Sequence, residues 1–113
     1  MAYTNRASFA TIRSATAAAI GAGYTTLGVS LTEPAVILSF LNNTNGDVFV
    51  STDGTTDHLI LPAATYQIFD IRTNAPNLSN LLFRAGTQFS VKDGPTVATS
   101  GTFYLQVVEV VNQ

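Results

Sequence analysis

The sequence predicts an all-β chain, a single-domain β-sandwich or jelly roll of about eight short strands carrying an N-terminal arm. Three observations predict it. Apolar and polar residues alternate in short runs from Tyr24 onward, the two-residue period of half-buried strands. Turn-forming residues interrupt these runs every 8 to 12 residues, the rhythm of sandwiches and jelly rolls. No long helical pattern alternates with the strands, which argues against an α/β architecture.

Taken in order, residues 1–22 (MAYTNRASFATIRSATAAAIGA) form the arm. Ala, Ser and Thr dominate it, no charged pairs support a helix, and Gly21 and Gly23 close it, so an arm with at most a short helical turn is expected. Residues 23–113 form the body. Its first strand is expected over Tyr24–Thr32, with Leu27, Val29 and Leu31 on one face. Pro34 breaks that run. Ala35–Leu41 is apolar on both faces and reads as a central strand. Asn42 to Gly46 reads as a turn centred on Asn45 and Gly46, because Asn and Gly tolerate positive φ. Asp47–Thr52 follows, and Asp53-Gly54 is the strongest hairpin signal in the chain, leading into His58–Leu61. Tyr66–Arg72, a loop over Thr73–Ser79, and a short strand over Leu81–Arg84 come next. Thr87–Lys92 alternates again, Asp93-Gly94-Pro95 turns, and Thr102–Val111 is the last and longest strand.

Composition removes several classes of function. The absence of Cys excludes disulfides, thiolate metal sites and cysteine nucleophiles. Only 11% of residues are charged, against about 25% in an average domain. The cations Arg6, Arg13, Arg72, Arg84 and Lys92 are scattered rather than striped, so direct nucleic-acid binding is not expected. The apolar runs are too short to span a bilayer as a helix, and the start of the chain lacks the basic and apolar blocks of a signal peptide.

No catalytic constellation has the required spacing, and no catalytic, cofactor-binding or metal-binding residue is assigned. His58 is the one histidine, with no nucleophile elbow to serve. Asp47, Asp53 and Asp57 make an acidic stretch, but without the ligand order of a calcium loop. Gly21-Ala22-Gly23 lacks the third glycine and the preceding strand of a dinucleotide fingerprint. The four Tyr do not cluster in sequence as a sugar-stacking platform would. In the arm, Phe9 and Ile12 are candidate apolar anchors for a partner, and Arg6 and Arg13 candidate partners for its carboxylates.

The stretch from Leu41 to Asp70, LNNTNGDVFVSTDGTTDHLILPAATYQIFD, is similar to small virion proteins of tailed phages in its N-x-T, V-S-x-D-G and D-H-x-x-L-P turns. Arg13–Leu27 and Phe89–Lys92 add to the likeness. Within that group the chain resembles the jelly-roll decoration proteins, also called cement or stapling proteins, of short-tailed phages. The resemblance implies a non-enzymatic protein made in the host cytoplasm and carried on the outer surface of the capsid. It implies the major capsid protein as partner and a homo-oligomer, with a dimer favoured. A neck or tail adaptor, or a receptor- or sugar-binding virion module, is the alternative.

Overall fold

Nine strands carry the fold, all paired antiparallel in two sheets, in a computed structural model that describes residues 5–70 and 83–112. They are β1 (Asn5–Phe9), β2 (Arg13–Thr16), β3 (Thr25–Thr26), β4 (Ala35–Thr44), β5 (Val48–Ser51), β6 (Leu59–Leu61), β7 (Thr65–Asp70), β8 (Ser90–Asp93) and β9 (Gly101–Asn112). Sheet A has the order β1-β9-β4-β7, with β2 also lying along β9, and sheet B has the order β3-β8-β5-β6.

The pairing is nested. β2 pairs with β9, β3 with β8, β4 with β7, and β5 with β6. The chain is therefore one long hairpin, closed at the β5–β6 loop and wound so that successive pairs alternate between sheets. This is the jelly-roll arrangement, and the Asp53-Gly54 signal lies at its closed end.

Burial follows the two-residue period. Leu38 and Phe40 on β4, with Phe103, Leu105 and Val107 on β9, point inward from sheet A. Val48, Val50, Leu61 and Val91 meet them from sheet B. Phe40 lies at the centre, its ring edge-on to Phe69 on its own sheet and to Phe89 opposite, at centroid separations of 6.0 and 5.7 Å. Such edge-to-face aromatic pairs add to the burial term.

Residues 24–32 depart from expectation. Only Thr25–Thr26 is a strand, and Gly28 sits at φ +66°, outside extended backbone. The reversal sends Leu27 and Leu31 into the core and leaves Val29 outside. Alternation of these three apolar residues therefore does not mark one strand face, and the glycine between them is the reason.

Residues 5–16, expected as an arm, lie along the edge of β9 as β1 and β2. A single short helical turn follows at Ala17–Ala19. Ala17 and Ile20 are buried. β4 runs past Leu41 to Thr44, so the turn narrows to Asn45 and Gly46. The expected loop over Thr73–Ser79 lies outside the described residues, as do Ile71 and Arg72 and the first half of the Leu81–Arg84 strand. Phe83 forms a single bridge to Ala35.

Candidate functional site

Between β1 and β2 the chain makes a short strap, residues 10–12, held at the edge of sheet A by the Ala10 amide donating to the Val107 carbonyl at 3.1 Å. The two candidate anchors lie at its ends, Phe9 just before it and Ile12 as its last residue. Phe9 is 86% exposed and Ile12 54% exposed, and Val29 joins them at 68%. The three line one cleft of about 530 Å³ whose walls also include Arg13, Thr32 and Glu109. Large apolar side chains gathered at one exposed place mark an interaction surface more often than scattered ones do.

Arg13 does not reach outward for a partner's carboxylate. It is buried, on the inward face of β2 opposite Leu105. Its Nε donates to the Val29 carbonyl at 2.7 Å, Nη2 to Ser30 at 3.2 Å and Nη1 to Thr11 at 3.3 Å. Gly28 makes room for it, since a Cβ there would fall 2.7 Å from Arg13 Cγ. The planar fork suits convergent carbonyls as well as it suits a carboxylate. Arg13 thus fixes the 28–30 loop against the strap and shapes the cleft from below. Arg6 stands opposite Val111 in the β1–β9 register, and its side chain lies outside the described residues.

The expected turn residues brace the ends of the sandwich. Asn45 Nδ2 donates to Thr99 Oγ1 at 2.7 Å, and its Oδ1 accepts from the Thr99 and Ser100 amides. Thr44 Oγ1 accepts from the Gly46 amide at 3.3 Å. The Asp93 amide reaches the Gly21 carbonyl, and the Gly94 amide reaches the Asp47 carbonyl at 2.8 Å. Asp93 Oδ1 is buried with no hydrogen-bond partner.

Asp47, Asp53 and Asp57 do not converge on a cation site. Asp47 Oδ1 accepts from the Ala63 amide, and Asp53 Oδ1 from the Thr55 and Thr56 amides at 2.9 and 2.7 Å. Those amides, with the Ser51 hydroxyl, hold the Asp53 carboxyl well below the usual range. Asp57 Oδ1 accepts from the Tyr24 hydroxyl at 2.5 Å and pairs with Lys92 Nζ at 3.0 Å. Both partners lower the Asp57 carboxyl, Tyr24 more than Lys92. Partial burial, then the bond to Asp57, pushes the Tyr24 hydroxyl up. Lys92 also lies over the Tyr24 and Phe49 rings, at 4.8 and 5.4 Å from their centroids. His58 Nδ1 accepts from the Thr52 amide at 3.1 Å. Among the described residues no group of three or more acidic or imidazole side chains is placed to hold a metal.

Two features of this region were not read from sequence: the buried role of Arg13 and the addition of Val29 to the anchors. Gly28, fifteen residues after Arg13, was the available signal for both. No known protein family, curated protein or solved structure matches the chain.

Proposed function

We propose that the chain is a structural protein of a phage virion, a decoration protein that binds the outside of the head and staples neighbouring major capsid subunits. The observation that carries this reading is the cleft lined by Phe9, Ile12 and Val29, with three large apolar side chains open to solvent beside a rigid sheet edge. The class of virion protein comes from the resemblance of the Leu41–Asp70 stretch.

The mechanism is mechanical and needs no catalytic group. An apolar ridge from a capsid subunit seats between Phe9, Ile12 and Val29, and the burial of their apolar surface holds it there. Because β1 and β2 are hydrogen-bonded to β9, and Arg13 ties the adjoining loop to the strap, little order is lost on docking. Repetition over the shell multiplies a contact that is weak singly. Asp53, Asp57, His58, Tyr24 and Lys92 are engaged in and around the loop over residues 52–58, a structural task.

A neck or tail adaptor is separated from this reading by copy number. Quantitative mass spectrometry of purified virions tests it. Copies on the scale of the major capsid protein support decoration, and a small fraction of that number assigns the chain to the neck or tail. A sugar-binding role has one observation in its favour, Tyr66, which stands 70% exposed on the outer side of sheet A. A glycan array on the purified chain tests that role directly.

A further inference from the structure

The cleft holds one charged group that an apolar contact leaves unused. Glu109 lies on β9, opposite Ala35 of β4 and Ser8 of β1. It continues the inward row of Phe103, Leu105 and Val107 and is only 7% exposed, yet it lines the cleft. Its hydrogen bond is to Thr32, whose Oγ1 donates to Oε2 at 3.1 Å.

The other carboxylate oxygen is free. Among the described residues nothing donates to Oε1, and no cation stands within ion-pairing distance of Glu109. Nor is Oε1 sealed from solvent, since Asp93 Oδ1 is the described side-chain oxygen that is both sealed and without a partner. Arg13 does not supply the missing charge. Its nitrogens are taken up by the carbonyls of Val29, Ser30 and Thr11. Its place opposite Leu105 is four residues along β9 from Glu109, about 13 Å at the rise of a strand.

A carboxylate withdrawn from water is costly unless a cation pairs with it. Thr32 needs one acceptor, which a neutral amide would supply as well, whereas a carboxylate brings a charge and a second oxygen. Ile12 and Val29, apolar and exposed on the same cleft, suit the methylene stem of a long side chain.

We propose that the cleft takes a lysine or arginine side chain of the partner protein, its stem against Ile12 and Val29 and its cationic head on Glu109. Resting on the reading of the cleft as the docking surface, this names the group that the surface recognises. Charge complementarity selects the occupant. An apolar group seated there would cut Oε1 off from water without giving it a donor, and an acidic group would face a like charge.

Titration of the purified, isotope-labelled chain with three blocked peptides, followed by amide NMR, tests it. The peptides are Gly-Gly-Lys-Gly-Gly and its arginine and norleucine counterparts. The two cationic peptides are expected to shift the amides of residues 28–32 and of Glu109 saturably. The norleucine peptide should bind about tenfold more weakly, the order of one charge-assisted hydrogen bond. Glu109→Gln keeps an acceptor for Thr32 and should lose the same factor toward the cationic peptides. Thr32→Val removes that bond, keeps the charge, and should still prefer them.

Equal binding of the lysine and norleucine peptides by the wild type overturns the proposal, whether or not Glu109→Gln folds. So does the absence of any shift. A Thr32→Val variant that loses the preference as fully as Glu109→Gln also overturns it, because the carboxylate would then act only through Thr32. Capsid shells separate this from the wider reading. Shells that bind the wild type and Glu109→Gln alike, but not Ile12→Glu, keep the cleft as the capsid site and refute the cationic occupant. Lysine-peptide binding without shell binding keeps the cationic site and refutes the capsid.

Discussion

Asn42 and Leu61 lie on different sheets, and the Asn42 amide nitrogen donates to the Leu61 carbonyl oxygen at 2.8 Å. The same nitrogen reaches the carbonyls of Gly46 at 2.9 Å and Pro62 at 3.1 Å, while Oδ1 accepts from the Thr44 amide and hydroxyl. The side chain is fully buried. It clips the end of β4 to the end of β6 and satisfies the buried carbonyls of Gly46 and Leu61. Asn42→Ala is expected to destabilise the fold by about 2–4 kcal/mol, the cost of leaving two or more buried polar groups without partners. Asn42→Asp is expected to be comparably harmful because it keeps the acceptor and loses both donors. Urea denaturation of the three proteins checks this.

Gly54 and Gly28 both have positive φ, at +79° and +66°, but differ in surroundings. Nothing lies within 4 Å of a Cβ built on Gly54, whereas one on Gly28 meets the Arg13 side chain. Gly54→Val is therefore expected to cost about 1–2 kcal/mol from backbone strain alone. Gly28→Ala is expected to cost more, since strain and displacement of Arg13 add. Thermal melts that rank the two in the opposite order would show that Arg13 is not held as described.

Arg13→Met keeps much of the apolar stem and removes the fork. Three carbonyls, of Thr11, Val29 and Ser30, then lose a charged donor. A loss of about 2–3 kcal/mol is expected, and Arg13→Lys is expected not to recover it, because one ammonium cannot span the three acceptors. Amide exchange at residues 28–31 should rise in both variants.

Asp53 and Asp57 have carboxyls lowered from the ordinary 3.8. A lowered folded value means the unfolded chain binds the proton more readily, so both groups favour the folded loop above that value and lose their contribution as pH falls below it. The loop over residues 52–58 is thus expected to loosen in acid before the core does. Amide exchange of Thr55 and Thr56, relative to its intrinsic rate at each pH, should accelerate as pH drops below 3.8 in the wild type. In Asp53→Asn it should be fast already at neutral pH.

β4 and β9 were legible because their apolar runs are long enough to outweigh turn signals, and the β5–β6 hairpin because Asp-Gly has few alternatives. The jelly-roll winding was legible only as a class, since strand spacing does not say which strands pair. Asn42 was hidden in a polar run that reads as a turn, and nothing local separates a buried amide from an exposed one. The β1 and β2 strands were hidden because their partner, β9, lies roughly ninety to a hundred residues further along the chain. Of the cleft, Phe9 and Ile12 stood out as apolar residues in a small-residue segment. Val29 did not, because its exposure follows from the reversal at Gly28.

The central claim is that the cleft beside the strap attaches the chain to a capsid. Co-sedimentation of the purified protein with shells of the major capsid protein, stripped of this chain, tests it most directly. The account predicts saturable binding of the wild type, strong loss for Ile12→Glu and Val29→Glu with the fold intact, and unchanged binding for Val97→Glu. Shells that leave the wild type in the supernatant, or that bind the Ile12→Glu, Val29→Glu double variant as well as the wild type, would contradict it.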